Sequence, residues 1–488
     1  MTTQIRRVGF GLLAILLAVF IQLNYVQIFA AEDIAGNAAN VRSLLREYSI
    51  KRGDIVTSDG VTVAESVKTR GKLEYLRRYP GGEPYGHITG YYSLVFGTDR
   101  IERSYNDQLL GESGVLSMQD IQDRFLGGGN QGDDVRLTID SRLQEEARAA
   151  LGNNLGAIVA IDPNNGDVRA MWSNPSFDPT PLASHVPDDI KAAWNQLNDQ
   201  SPNPLQHLAT TRGFPPGSTF KVVTAAAALD SGRFTPRSTF PDPVALDLPL
   251  TDQTLTNFTN TACFGGGQID LFTALEISCD TTFGMIGLRI PDEVRAVAEG
   301  MGFNSRIPFD VTTEASVFPN IPDDEEPLRA YAGIGQGDVV ATPLQMALVA
   351  ATVANGGEVP RPRLVKQIID ASGGVIQSPA PETLGEAISG STAAEVTEMM
   401  VAAVESGTGT NAQIPGVPVA GKTGTAQSTP GAAPHAWFIS FAPANDPELA
   451  VAVFVANGGS AGAEATGGLI AAPMAKRILE RDRQIRGW

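Results

Sequence analysis

The chain contains 488 residues, 42% of them hydrophobic and 18% charged, which favours about two to four folded domains and excludes a largely disordered protein. Lysine and arginine number 36 against 54 aspartate and glutamate residues, so the net charge is −18. A charge of this sign repels a polyphosphate backbone, and we expect no nucleic acid partner. The two cysteines and four scattered histidines lack metal-ligand spacing, and we expect no metal site.

The first thirty residues predict a single membrane anchor. Residues 8–30 carry no charge and as a helix would extend roughly 34 Å, enough to cross the hydrocarbon core. Arg6 and Arg7 precede them, and because positive charge stays on the cytoplasmic side, residues 1–7 are expected to be a cytoplasmic tail. The alternative is a cleaved signal peptide with small residues at Ala30 and Ala31. Either way, the bulk of the protein is expected outside the membrane.

An exported location changes the interpretation of the two cysteines. Cys263 and Cys279 would lie in an oxidising compartment, where a disulfide between them can form. Closing a loop of this size stabilises a fold by roughly 3 kcal/mol on the chain-entropy model. The alternative is a pair of buried free thiols.

Two regions follow the predicted anchor. Residues 31–150 are rich in glycine, turns and charge and contain no candidate nucleophile–base pair, which predicts a small, strand-rich pedestal or interaction domain. Residues 151–488 are expected to form the catalytic domain. The predicted elements are a helix at 141–151, strands at 156–162, 168–172, 419–423, 436–441 and 449–455, and a helix at 468–483. This order predicts an α+β fold in which both ends of the domain complete one antiparallel sheet, with 373–381 as an exposed loop.

Ser218 and Lys221 form a candidate nucleophile–base pair. Pro215 and Pro216 cannot continue a helix backwards, so Ser218 is expected at or near a helix N-terminus, with Lys221 three residues on and on the same face. A serine hydroxyl needs a base, and a lysine can serve if burial favours its neutral amine. The unpaired N–H groups of the helix start favour a developing oxyanion. The alternative is an ordinary helix start with a capping serine and a solvated lysine.

Two further motifs support the catalytic interpretation. Lys422-Thr423-Gly424-Thr425 lies on an apolar strand, where a lysine is otherwise unfavourable; Gly424 permits close backbone approach, and the threonine hydroxyls can bind a carboxylate. Ser278-Cys279-Asp280 follows a helical stretch from 271 to 277. The alternatives are a hairpin with an exposed lysine and a plain helix end. Each motif is weak alone, but the set is specific in this order.

These three motifs resemble the Ser-x-x-Lys, Ser-x-Asn and Lys-Thr-Gly marks of penicillin-binding transpeptidases and serine β-lactamases. Residues 331–337 with 342–347 resemble the segment that these transpeptidases carry between the second and third motifs. The single anchor and the region from Asp54 to Gly60 are similar to the N-terminal part of class B penicillin-binding proteins. The resemblance implies a transpeptidase domain with an antiparallel sheet flanked by helices, and a helical subdomain.

The resemblance also implies a chemistry and its partners. Ser218 would attack the carbonyl between the terminal D-alanines of a peptidoglycan stem peptide, with Lys221 as base. Ser278 would relay a proton with the support of Lys422. The remaining implied contacts are an oxyanion hole from the N–H groups of Ser218 and Thr425, and a carboxylate site at Lys422, Thr423 and Thr425. β-Lactams would acylate Ser218, membrane-bound cell-wall synthesis proteins would be partners, and no cofactor would be needed.

Asp280 departs from the family pattern, which has asparagine at this position. An ionised aspartate can only accept hydrogen bonds, and a carboxylate near Lys221 favours the charged ammonium. Three alternatives follow. Neighbouring groups compensate for Asp280, or Asp280 is protonated, or it reduces the activity. We expect that acylation persists, because Ser218 and both lysines remain.

Three other interpretations compete. A β-lactamase of class A needs a glutamate that directs water, and no Glu-x-x-Leu-Asn segment occurs between Asp280 and Lys422. A membrane-bound β-lactam sensor would need a signalling domain, for which the tail before Val8 is too short. A non-catalytic scaffold of the cell-wall machinery would use residues 31–150, and Asp280 is its best support.

Overall fold

The structure is a computed structural model that describes residues 2–28, 41–112, 131–427 and 432–488. Residues 29–30 of the predicted anchor, and 31–40 and 113–130 of the predicted N-terminal domain, lie outside the described residues. Among the residues described, no helix is both long enough and apolar enough to cross a membrane.

The strands and helices are numbered along the chain. The strands are β1 Ile55–Val56, β2 Thr62–Lys68, β3 Tyr75–Arg78, β4 Tyr92–Ser93, β5 Gly97–Thr98, β6 Asp134–Leu137, β7 Gly156–Ile161, β8 Val168–Asn174, β9 Thr239–Pro241, β10 Ala245–Asp247, β11 Thr254–Thr256, β12 Gln268–Asp270, β13 Glu358–Pro360, β14 Val365–Ile369, β15 Val375–Gln377, β16 Thr383–Glu386, β17 Ala420–Ala426, β18 His435–Ala442 and β19 Leu449–Val455. The helices are α1 Thr2–Ile28, α2 Val41–Glu47, α3 Gly86–Thr89, α4 Arg100–Ser104, α5 Asn106–Leu109, α6 Ser141–Leu151, α7 Pro187–Asn198, α8 Leu208–Thr211, α9 Lys221–Asp230, α10 Leu271–Glu276, α11 Asp280–Arg289, α12 Pro291–Gly300, α13 Glu326–Gly333, α14 Pro343–Ala354, α15 Gly390–Glu405 and α16 Ala472–Arg486.

A five-stranded antiparallel sheet, in the order β17-β18-β19-β7-β8, is the framework of the larger region. Every residue of β18 and β19 is buried, as expected for apolar runs covered on both faces. Successive side chains point to opposite faces: Val451 and Val453 pack with residues of α6 and α16, whereas Ala452 and Phe454 pack in the cluster that includes α14. The sheet therefore lies between two helical layers.

Helix α14 shows why the helical layer that packs on Ala452 and Phe454 is stable. Its sequence is almost entirely apolar, and its residues from Pro343 to Val353 are buried. The Thr342 side chain accepts a hydrogen bond from the Gln345 backbone N–H and so caps the first turn, where Pro343 needs no N–H partner. The sheet and these helices confirm the predicted mixed helix-and-sheet architecture.

A second, six-stranded sheet has the order β15-β14-β6-β1-β2-β3. Strands β1 and β6 pair in parallel, and the other neighbouring pairs are antiparallel. Strands β14 and β15 come from the region predicted as catalytic, so the two regions share this sheet. The predicted exposed loop at 373–381 is wrong at Val375–Gln377, because a tight turn at Gly373, with φ 89°, folds this strand back onto β14.

Most other local predictions agree with the structure. Helix α6, the β7–β8 hairpin and the three C-terminal strands are confirmed, with strand ends shifted by a few residues. The last helix begins at Ala472 and not at 468, because a π-helical turn at Gly467–Ala471 comes first.

Candidate active site

Ser218 lies on a single 3₁₀ turn, Gly217–Phe220, that runs directly into α9. Gly217 has φ 53°, and its N–H donates to the Gly335 carbonyl at 2.9 Å. The Thr219 hydroxyl donates to the Pro216 carbonyl at 2.7 Å and closes the turn. Ser218 is half-buried, so its hydroxyl is held at the mouth of a helix and remains accessible.

Lys221, the first residue of α9, is fully buried. Its ammonium donates to the Asp280 carboxylate at 2.7 Å, to the Ser278 carbonyl at 2.8 Å and to the Ser278 hydroxyl at 3.3 Å. Burial lowers the pKa of Lys221 from its ordinary value, while the charge and hydrogen bond of Asp280 raise it and offset part of that shift. The structure thus brings the first and second motifs into direct contact.

Lys422 lies on β17, the edge strand of the five-stranded sheet, and is also fully buried. Its ammonium donates to the Thr423 carbonyl at 3.2 Å. Burial, together with the positive charge of Lys221, holds the pKa of Lys422 well below its usual range, although Asp280 raises it. The three motifs therefore place two buried lysines and one carboxylate within electrostatic reach of one another.

Ser278 and Asp280 lie on either side of Cys279, where α10 is followed by α11. Ser278 has φ 66°, a left-handed conformation that is uncommon for a residue with a side chain and is often kept at functional sites. Asp280 is the first residue of α11, and its side chain is 15% exposed. Cys279 is joined to Cys263 by a disulfide, so the second motif is tied covalently to the preceding loop.

The threonines of the third motif have partners within the chain. The Thr423 and Thr408 hydroxyls lie 2.6 Å apart, and the Gly467 N–H donates to the Thr425 hydroxyl at 3.4 Å. Thr408 follows α15 and lies 15 residues before Thr423, outside the three motifs, and it was not predicted. A Ser-Gly-Thr-Gly turn at 406–409 is the only sequence signal that pointed to it.

Glycines allow the turn that carries the first motif to pack closely against β17. A Cβ on Gly424 would lie 2.8 Å from the Pro216 carbonyl oxygen, and a Cβ on Gly217 would lie 3.0 Å from the Thr425 carbonyl oxygen. The turn that carries Ser218 therefore packs directly on β17. Gly424 is needed for this contact within the chain. The sequence analysis predicted a close backbone approach at Gly424 without saying which segment approaches.

Two further contacts hold the turn and were also missed. The Trp437 indole N–H donates to the Pro215 carbonyl at 2.9 Å, which links β18 to the residues before Ser218. A Cβ on Gly335 would lie 2.3 Å from the Gly217 carbonyl oxygen, so the 331–337 segment supports the turn from the other side. Both residues are remote from Ser218 in sequence. The sequence analysis named the 331–337 segment only for its family resemblance, and the packing shows that it contacts the turn.

Comparison with known proteins agrees with this geometry. Residues 156–480 match the family model of the penicillin-binding protein transpeptidase domain, and residues 52–135 match that of the penicillin-binding protein A dimerisation domain. The chain is 38% identical to the peptidoglycan D,D-transpeptidase PbpA of Mycolicibacterium smegmatis and 37% identical to that of Mycobacterium tuberculosis. Each match covers 98% of this chain, with 98% and 99% of the relative covered.

Solved structures give the same result. A ceftriaxone acyl-enzyme complex of penicillin-binding protein A from M. tuberculosis superposes with a TM-score of 0.85 at 37% identity, covering 90% of this chain and 99% of that one. Its penicillin G acyl-enzyme complex superposes with a TM-score of 0.83 over 89% of this chain and 100% of that one. The predicted family is confirmed: the chain belongs to the penicillin-binding protein transpeptidase family.

Proposed function

We propose that the chain is a peptidoglycan D,D-transpeptidase that works through a Ser218 acyl-enzyme and is acylated by β-lactams. The observation that carries the proposal is the contact of Lys221 with Ser278 and Asp280, beside the turn that holds Ser218. The matching relatives bear the name of this activity, and two related structures hold β-lactam acyl-enzymes.

The reaction uses the chain's own residues in two steps. The Ser218 Oγ attacks the carbonyl carbon between the terminal D-alanines of a stem peptide and gives its proton to Lys221. The N–H groups of Ser218 and Thr425 hold the oxyanion. Ser278, with Lys422 beside it, returns a proton to the departing D-alanine. The amine of a second stem peptide then attacks the ester, forms the cross-link and frees Ser218.

The third motif orients the substrate. The ammonium of Lys422 and the hydroxyls of Thr423 and Thr425 hold the terminal carboxylate, and Gly424 keeps the strand close to the nucleophile. In a buried site the cation attracts the carboxylate strongly because little water screens the two charges.

Labelling with a fluorescent penicillin tests the proposal. The wild type is expected to become covalently labelled at Ser218, and Ser218→Ala is expected to remain unlabelled while it keeps its folded circular dichroism spectrum. Labelling of Ser218→Ala to the level of the wild type would contradict the assignment of the nucleophile.

A scaffold function is the second candidate, because the ion pair between Lys221 and Asp280 opposes the neutral amine that acylation needs. Asp280→Asn distinguishes the two. We expect the wild type to be acylated and the variant to be acylated at most several-fold faster. A wild type that no penicillin labels, with a variant that is labelled, would support the scaffold.

The N-terminal residues position this chemistry in the cell. Residues 8–30 form a single-pass anchor with residues 1–7 in the cytoplasm, so the catalytic domain at 151–488 faces the cell wall. Residues 31–150 contact other membrane-bound proteins of cell-wall synthesis. Recovery of the full chain in the membrane fraction after alkaline extraction is expected, and release of the full chain or of a processed form into the soluble fraction would contradict the anchor.

A further inference from the structure

Asp280 is a carboxylate in a position where the family carries an amide. One of its oxygens, Oδ1, accepts the hydrogen bond from Lys221 at 2.7 Å. Its other oxygen, Oδ2, has no hydrogen-bond partner in the described part of the chain and is not among the buried atoms that lack one. The side chain is 15% exposed, so Oδ2 of this second-motif residue is open to water.

The surroundings of Asp280 keep this oxygen available. The charged groups that bear on it are Lys221, which holds Oδ1, and Lys422, which interacts with it electrostatically. Neither lysine donates a hydrogen bond to Oδ2. Position 280 begins α11, directly after the disulfide-bonded Cys279, so the backbone that carries the carboxylate is held on both sides.

An asparagine in this place could donate and accept hydrogen bonds but could not take a proton. A carboxylate can, and a positioned carboxylate is a common general base in hydrolysis. The difference matters only after acylation, when a nucleophile must lose a proton to attack the ester.

We infer that Asp280 is the general base of a hydrolytic activity, in which water releases the acyl group from Ser218. This inference rests on the proposed Ser218 acyl-enzyme. The water oxygen bonds to the ester carbonyl carbon while one of its protons passes to Asp280 Oδ2. The tetrahedral intermediate then breaks its bond to Ser218 Oγ, which takes a proton from Lys221. Oδ2 of Asp280 gives the first proton to solvent, and Lys221 regains a proton from solvent, so that both groups return to their starting states.

The consequence is a second product from each substrate class. A stem peptide ending in two D-alanines yields free D-alanine and a shortened peptide acid, a D,D-carboxypeptidase reaction that competes with cross-linking. A penicillin yields the ring-opened acid, so the acylated enzyme slowly recovers. General base catalysis contributes on the order of 10²-fold or more to such a step.

The test separates acylation from deacylation. Wild type, Asp280→Asn and the exposed control Asp252→Asn are acylated to completion with penicillin G, freed of excess drug and followed by intact mass over time. We expect wild type and Asp252→Asn to lose the adduct at equal rates with ring-opened acid appearing. We expect Asp280→Asn to accept the adduct and hold it about 100 times longer.

The outcomes are distinct. Equal or faster loss of the adduct by Asp280→Asn would overturn the inference while leaving the Ser218 acyl-enzyme intact. A wild type that never gains an adduct would overturn the proposed function and this inference with it. The acylation rate of each variant is measured beside the loss of its adduct, because damage to the site would slow both steps, whereas loss of the general base slows the release more than the acylation.

Discussion

Single side chains determine the charge balance of the site. Lys221 and Lys422 are both buried, but only Lys221 has a carboxylate partner at hydrogen-bond distance among the described residues. The charge of Lys221 adds to burial in lowering the pKa of Lys422. A buried lysine without a paired carboxylate is a source of instability that a catalytic site tolerates.

Replacing Lys422 with methionine is expected to stabilise the fold and abolish acylation. The unfolded chain binds a proton up to a pH of about 10.4, whereas the folded site loses it at lower pH, so wild-type stability rises with pH between these two values. We therefore expect Lys422→Met to raise the Tm at pH 7, with the gain shrinking towards pH 10. Exposed Lys366→Met is the control and is expected to change neither property. An unchanged or lower Tm for Lys422→Met at pH 7 would contradict the argument.

Thr408 illustrates a residue that acts through another. Its hydroxyl lies 2.6 Å from that of Thr423. If Thr423 contacts the substrate carboxylate, as the proposed function has it, this contact is expected to orient the Thr423 hydroxyl. Loss of one such bond costs about 1 kcal/mol, and we expect Thr408→Val to lower the second-order rate constant of acylation about fivefold. Stopped-flow acylation measures it, and Thr408→Ser is expected to restore the rate. A variant as fast as the wild type would show that Thr423 needs no such partner.

At the scale of elements, the turn Gly217–Phe220, which carries Ser218, lies between strand β17 and the 331–337 segment. Strand β17 approaches at Gly424, and the 331–337 segment approaches at Gly335, whose φ is 71°. No single element places Ser218; β17, the 331–337 segment and β18, through Trp437, together position the turn.

Gly335→Ala is expected to lower acylation at least 100-fold, because the added Cβ would lie 2.3 Å from the Gly217 carbonyl oxygen and displace the turn. The matched control is Gly356→Ala, which has a similar φ of 65° but nothing within 4 Å of the added Cβ. Both variants share the backbone strain, so only the steric effect differs. Equal acylation by the two, measured with labelled penicillin, would contradict the proposed support of the turn.

At the scale of the whole molecule, the six-stranded sheet joins the two regions. Strand β14 pairs with β6, and Val365 and Ile368 of β14 are buried there together with Val135 and Leu137. The boundary predicted near residue 150 divides the chain in sequence, but this sheet contains strands from both sides of that boundary.

The catalytic region is therefore expected to depend on the N-terminal strands. A fragment of residues 138–488 would expose the edge of β14 and its apolar side chains, and we expect it to aggregate. The longer fragment 41–488 keeps the sheet and is the control. Size-exclusion chromatography measures the difference, and a monodisperse 138–488 fragment that still reacts with penicillin would contradict the dependence.

Sequence alone determined the local chemistry and the local elements. The order of the three motifs predicted Ser218, Lys221 and Lys422 as site residues, and the apolar runs of β18 and β19 predicted strands, because residue identity and hydrophobic period are local properties. The tertiary structure decided which groups meet: Asp280 against Lys221, Thr408 against Thr423, and β14 against β6. These partners lie on different elements, from 15 residues apart for Thr408 and Thr423 to more than 200 for β14 and β6, and their contacts depend on how sheets and helices pack, which no local pattern encodes.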